Sequence, residues 1–393
     1  MRIDYLSPTI YVTDILIVLL ICIFFFRRKN SFKKIRFSAL FMGAFVFLIF
    51  VMTIGIIASK NQAAGFYGLL KLLEFTLLGI CVSRIAKELN FKTVLKMLSA
   101  GIIFESVLAI LQFINKGSLN GVFYYFGERA FNSQTPGIAN AVLNGELVLR
   151  PYGTLPHPNV LAGYLLISMT LLLFNLGFMK KISEKIFSIA SISVGTISLF
   201  LSMGRVPIVI WLGIFGFWLV INFNKIFSRK NFRNYFTAGV IFIAIVLLFF
   251  IVRFRFIGFS LSDESVVLRE SLAGSATRMI VKNPVLGVGL NNFLPNLPYF
   301  EKQMNPFFYL QPVHNIYLLI ASEVGIVGLV YFVWFIYETY VGMLKSDLII
   351  KRSLFISLSS VLLIGFFDHY FLTLQQGQIL FSIILGLCWA TNA

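Results

Sequence analysis

Charge is scarce in this chain. Asp, Glu, Lys and Arg make up 12% of its 393 residues, while 58% are hydrophobic. A water-soluble domain carries about 25% charged residues, so an ordinary aqueous fold is excluded for most of the chain. Cysteine is nearly absent too: Cys22, Cys81 and Cys388 each sit inside an apolar run, far from one another. That spacing excludes a disulfide framework and a cysteine metal motif, and all three read as packing residues. The phosphate-cradling loop, the dinucleotide fingerprint and the zinc-protease motif are missing; Gly287-Val288-Gly289 matches none of them. No carboxylate pair stands at glycosidase spacing. The strand alternation of an outer-membrane barrel is missing, as are internal repeats and the inverted pair of broken helices of many transporters. The N-terminus lacks the order of a signal peptide, because the basic cluster Arg27-Arg28-Lys29 follows the first apolar run.

Long apolar runs are what the chain has. A helical span needs about 20 apolar residues, and backbone in lipid must satisfy its own hydrogen bonds. Eleven spans are expected, near 7–26, 37–58, 66–83, 94–114, 159–179, 186–202, 206–223, 235–252, 314–337, 354–372 and 378–391. The fold class is therefore all-α: a polytopic transmembrane bundle forming one transmembrane domain over 1–393. The connections alternate in charge. Odd-numbered ones hold Arg27 to Arg36, then Arg84 to Lys96, then Lys180, Lys181 and Lys185, then Lys225 to Arg233, then Lys345, Lys351 and Arg352. Lys and Arg are retained on the cytoplasmic side, which puts the N-terminus outside and the C-terminus inside. The formal net charge of +17 is mostly this retention signal, aided by anionic lipid, and does not call for nucleic acid. Two long segments, 115–158 and 253–313, then face outside as cap loops. Apolar Leu268, Leu272, Ala276 and Met279 predict an amphipathic helix from Ser265 to Lys282 in the second, ended by Pro284.

The unusual polar residues gather on that outer side. His157, His314 and His369 all lie at outer ends of spans. Arg150 precedes His157, Arg205 sits in the tight hairpin Ser202-Met203-Gly204-Arg205, and Arg269 lies on the amphipathic helix. Arg278, nine residues on, turns away from Arg269 at 3.6 residues per turn. Arginine binds phosphate oxygens without losing its charge, and imidazole takes a proton from a hydroxyl near neutral pH. Together they suit an anionic phosphate leaving group and a hydroxyl acceptor. Each also has a structural account: a snorkelling or solvated arginine, a turn or cap at His157 and His314, an interfacial anchor at His369. Glu323 lies within a span and reads as a brace. Lys71, Glu74 and Glu105 read as paired intramembrane charges.

These residues lie in stretches that resemble the O-antigen ligase and O-antigen polymerase family of bacterial envelope glycosyltransferases. The stretches are Arg150-Pro151-Tyr152-Gly153-Thr154-Leu155-Pro156-His157-Pro158-Asn159; Leu201-Ser202-Met203-Gly204-Arg205; Arg269 through Asn283-Pro284-Val285-Leu286-Gly287-Val288-Gly289; and His314-Asn315-Ile316-Tyr317-Leu318 onward to Glu323-Val324-Gly325-Ile326-Val327-Gly328. Asp368-His369-Tyr370 and Gln375-Gln376-Gly377-Gln378 extend the likeness. It implies a lipid-linked oligosaccharide donor with undecaprenyl pyrophosphate as leaving group. It also implies metal-independent, inverting transfer, with no cofactor, on the outer face of the cytoplasmic (inner) membrane, as in lipopolysaccharide and other polysaccharide biosynthesis. By the same resemblance His314 is the general base, and Arg205 and Arg269 hold the pyrophosphate. Arg150, His157, Asn159, Asn315 and His369 are substrate-binding positions. The acceptor is a glycan, lipid or protein, and ligase and polymerase are not separated.

The chain departs from the family in two places. Ligases of this kind show twelve spans with both ends inside, and Arg2 to Pro8 reads as a stretch that follows an earlier helix. The outer hairpin reads Met-Gly-Arg where Ser-Arg-Gly is expected. A flippase or transporter of lipid-linked oligosaccharide is the alternative reading, and a non-catalytic envelope scaffold the third.

Overall fold

The structure, a computed structural model, describes residues 7–27, 39–86, 88–143, 146–226, 264–301, 311–345 and 350–390. The expected apolar runs are helical there. In chain order they are α1 (Val12–Arg27), α2 (Ala39–Ile57), α3 (Gln62–Ile85), α4 (Phe91–Asn115) and a short α5 (Val122–Tyr125). A hairpin follows, β1 (Asn140–Leu143) and β2 (Glu146–Leu149), antiparallel with Asn140 opposite Leu149. Then come α6 (Pro158–Asn175), α7 (Ile182–Leu201), α8 (Arg205–Ile226), α9 (Glu264–Lys282), α10 (Phe293–Phe300), α11 (Ile316–Leu344), α12 (Lys351–Gly365), α13 (Tyr370–Thr373) and α14 (Gln375–Trp389).

Two expectations need correction and a third is met in part. Of the eleven spans expected, seven described helices are long and apolar enough to cross a membrane: α2, α3, α4, α6, α7, α8 and α11. The helix α1 is apolar but shorter, α12 and α14 have 15 residues each, and the span expected at 235–252 lies outside the described residues. The fold is also not purely α, because the hairpin β1–β2 occupies the segment read as a loop. Finally, Cys81 and Cys388 are buried as packing residues, but Cys22 is exposed. The amphipathic helix is present as α9, with Leu268, Leu272, Ala276 and Met279 all buried.

The chain divides into two compact units. The first comprises Met1–Glu88, Leu261–Lys351 and Gly365–Ala393. Ile17, Ile21 and Phe24 of α1 pack on Phe75, Leu78 and Cys81 of α3. A Cβ at Gly386 of α14 would press on the Gly79 carbonyl and the Val82 side chain, so small residues set how closely α3 and α14 approach. Lys71 pairs with Asp14 at 2.6 Å and Glu74 at 3.1 Å, and Gln375 donates to Asp14. An apolar surround makes lone charges expensive, and this cluster ties α1, α3 and α14. On the other side, α9, α10 and the start of α11 share a core of Leu268, Leu272, Met279, Phe293, Leu297, Val313 and Leu319.

The second unit is Leu89–Ser260 with Arg352–Ile364. Its centre is α6, where Leu161, Ala162, Leu165, Leu166, Ile167 and Met169 are fully buried. The buried residues of α7 are Ser188, Ser191, Gly195, Thr196 and Ser198 together with Ile192, Leu199 and Phe200. A Cβ at Gly195 would collide with Met169 and Ile102, so α7 lies close against α6 and α4. Asn175, at the end of α6, donates to Ser353 Oγ of α12 at 2.8 Å.

Candidate active site

The first unit gathers His314, Asn315, Asp368 and His369. Asn315 is the N-cap of α11: its Oδ1 accepts from the backbone of Tyr317 and Leu318, both at 2.9 Å, and its Nδ2 donates to the Phe366 carbonyl at 3.2 Å. The cap satisfies helix-end amides and the second bond holds the chain just before Asp368. His314 Nδ1 then faces Asp368 Oδ1 at 3.6 Å. That nitrogen is buried and makes no hydrogen bond, while Nε2 lies 3.3 Å from Gln311 Oε1. His369 is 2% exposed, lies with its ring tilted 53° to that of His314 at 5.0 Å between centroids, and engages Thr373 Oγ1 through Nδ1 at 2.6 Å. Asp368 also accepts from the His369 backbone at 2.8 Å. Sequence reasoning named Asp368 only as part of a motif. Fifty-odd intervening residues hid that its carboxylate faces His314.

Below this cluster α11 is interrupted. Gly325 adopts φ +79° inside the helix, so the amides and carbonyls of one turn lose their usual partners. The glycine loop before α10 supplies new ones. Val288 N donates to Ser322 O at 2.8 Å, Gly289 N to Glu323 O at 2.9 Å, and Ile326 N to Pro284 O at 2.8 Å. The Glu323 carboxylate reaches the other way and accepts from Asn291 N at 2.9 Å and Phe293 N at 3.0 Å, at the start of α10. Glu323 is thus the brace the sequence predicts, and two stretches of the resemblance are one interlocked piece.

Arg269 belongs to the same unit. It is exposed on α9 and makes no hydrogen bond or ion pair among the described residues. Its neighbour Leu268 and the His314 neighbour Val313 share one core. Arg278 differs, as its offset predicts: it donates to the Phe300 carbonyl at 2.7 Å and to Ser275 Oγ at 2.9 Å, and lies 3.5 Å from Glu301. Glu301 also accepts from Ser271 and from Ser275 at 2.8 Å. Arg278 therefore has a structural task that Arg269 lacks among the described residues.

The second unit gathers Arg150, His157, Asn159 and Arg205. The segment from Arg150 to Thr154 is fastened to α4. Gln112 Oε1 accepts from Tyr152 N at 3.0 Å and Gly153 N at 2.8 Å, and Glu105 accepts from Thr154 N at 2.9 Å and from the Thr154 hydroxyl. Glu105 thus meets hydrogen-bond donors, where a paired charge was expected. The Tyr152 hydroxyl accepts from Ala139 N at 2.8 Å, and burial pushes its phenol above the usual pKa, so it stays neutral. Arg150 then donates through Nε to Ser202 O at 2.7 Å and through Nη2 to Asn159 Oδ1 at 2.6 Å. His157 is the N-cap of α6, its Nδ1 accepting from Asn159 N at 3.1 Å. Arg150 therefore joins the start of α6 to the α7–α8 hairpin from which Arg205 opens α8. The hairpin turns at Met203, φ +54°, a conformation glycine would adopt at less cost. Gly204 lies against Ala162, where a Cβ would stand 3.1 Å from the Ala162 Cβ.

Arg150→Ala removes two bonds from a charged donor. It is expected to cost about 2–3 kcal/mol, read as a fall in the thermal-unfolding midpoint of detergent-purified protein. A midpoint equal to wild type would show that the hairpin does not depend on it.

No curated protein is significantly similar to the chain. Residues 186–333 match the O-antigen ligase family. Arg205, Arg269, His314 and both interlocked glycine stretches fall inside that segment; Arg150, His157, Asn159, Asp368 and His369 fall outside it. Residues 186–333 are therefore similar to the O-antigen ligase family, and the seven long apolar helices among the described residues point to a multi-pass membrane protein.

Proposed function

We propose that the chain transfers an oligosaccharide from a polyprenyl pyrophosphate, of the undecaprenyl class, to an acceptor hydroxyl at the outer face of the cytoplasmic membrane. The observation that carries this reading is His314, inside the O-antigen ligase segment, with its Nδ1 facing the Asp368 carboxylate at 3.6 Å. Catalytic hydrogen bonds are often long before substrate binds. With the proton on Nδ1 directed at Asp368 and the Gln311 amide turned to present its NH2, Nε2 carries the lone pair. Nε2 takes the proton from the acceptor hydroxyl, whose oxygen attacks the anomeric carbon from the side opposite the pyrophosphate. The anomeric carbon–oxygen bond breaks, the configuration inverts, and polyprenyl pyrophosphate leaves. Arg205 and Arg269 have the role of meeting its charge, so no metal is needed for that task. Asn315 and His369 position the base and the acceptor. Arg150, His157 and Asn159 shape the donor side by holding the hairpin of Arg205.

Fixed donors to developing charge each contribute about 3 kcal/mol. Arg205→Ala and Arg269→Ala are each expected to slow transfer about a hundredfold or more. The assay follows release of polyprenyl pyrophosphate from lipid-linked oligosaccharide by lipid-reconstituted protein. Products lengthened by whole repeats, without any other acceptor, identify a polymerase; transfer only to an added acceptor identifies a ligase. Movement of the lipid-linked sugar across proteoliposomes, with no release and no effect of either substitution, would replace this reading with the flippase.

A further inference from the structure

Three side chains at the proposed base hold more ligand chemistry than glycan transfer uses. His314, Asp368 and His369 each offer one ligand atom, and these atoms lie within 4.8 Å of one another. The His314 Nδ1 is buried without a hydrogen bond and faces the carboxylate. The His369 ring is fixed by Thr373 at 2.6 Å, as outer hydroxyls and carbonyls fix metal-ligating imidazoles. All three belong to one unit of the fold.

We propose that His314, Asp368 and His369 bind a zinc-type divalent ion, and that the bound ion switches transfer off. Two imidazole nitrogens, one carboxylate oxygen and an open fourth position are a donor set that Zn2+ takes, at about 2.0–2.2 Å per ligand. Mg2+ and Ca2+ prefer oxygen alone. Tetrahedral ligation needs the ligand atoms to close to about 3.3 Å of each other, a movement on the order of 1 Å that side-chain torsions supply. The switch follows from the imidazole's single proton. An ion on Nδ1 displaces the proton there, and the neutral ring carries it on Nε2 instead. Nε2 then has no lone pair for the acceptor hydroxyl. The inhibitory half rests on His314 acting as the base; the ion site does not.

The test uses the full chain in lipid nanodiscs, with any histidine tag removed, titrated with Co2+ as an optical stand-in for Zn2+. The expected result is one equivalent of Co2+ with the intense visible bands of four-coordinate geometry, displaced by Zn2+ but not by Mg2+. His369→Ala and Asp368→Asn are each expected to weaken it at least about tenfold. Absence of these bands in the wild-type protein overturns the site whatever the variants do. Bands unchanged in both variants overturn it equally. Transfer is expected to fall over the Zn2+ range that fills the site and to return with chelator. A filled site with undiminished transfer overturns the switch. If His314→Ala still abolishes transfer in that case, the base reading stands without it.

Discussion

Alanine in place of His314 is expected to stop glycan transfer while leaving the protein inserted and folded. A positioned general base contributes about a hundredfold to ten-thousandfold. The structural cost is small, because the His314 Nδ1 makes no hydrogen bond and the α11 cap belongs to Asn315. Asp368→Asn separates position from bulk. The amide oxygen can still accept from the His369 backbone, a bond of 2.8 Å here, but the charge that holds the Nδ1 proton is gone. Turnover is expected to fall with little change in the KM for the lipid-linked donor. Transfer by His314→Ala within threefold of wild type, at equal membrane content, would sink the assignment.

The largest effect on folding is expected at Gly325. A Cβ there would overlap the Val285 carbonyl, and its φ of +79° is one that side-chain-bearing residues rarely adopt. The backbone cannot relax into a regular helix without losing the bonds from Val288, Gly289 and Ile326. Gly325→Ala is expected to cost more than about 4 kcal/mol, the exceptional class for one substitution, seen as loss of monodisperse protein after detergent extraction. Gly213 gives the contrast. It lies in α8 with no described residue near its missing Cβ, so Gly213→Ala gains up to about 1 kcal/mol of helix propensity. If the two variants survive heating equally, the interlock is not what holds this region.

The difference between these glycines also marks what a sequence can disclose. Both read as glycine in an apolar run, and only the loop that meets Gly325 tells them apart. Helices were legible because lipid admits little else, and α9 because its period of apolar residues is regular. The hairpin β1–β2 was overlooked although its signal is present. Asn144-Gly145 stands between Ala141-Val142-Leu143 and Glu146-Leu147-Val148-Leu149, a common two-residue turn sequence between strands. Its strands are only four residues long, too short to break the impression of a loop. Within the site, histidines and arginines were conspicuous against so apolar a background. Their partners were not, because Ser202 reaches Arg150 and Asp368 faces His314 across long stretches of chain.

The break at Gly325 bears on how the protein tolerates membranes of different thickness. At 1.5 Å per residue the 29 residues of α11 would extend about 43 Å, well beyond a hydrocarbon core of about 30 Å. A continuous rod of that length answers a thinner bilayer by tilting and would swing its far end. Here the part after Gly325 nearly matches the core by itself. The part before it, which begins beside His314, is moored to the glycine loop and to α10 through Glu323. Tilt taken up below the break is thereby expected to be kept from the histidine, and transfer by lipid-reconstituted protein is expected to remain even across lipids of unequal chain length.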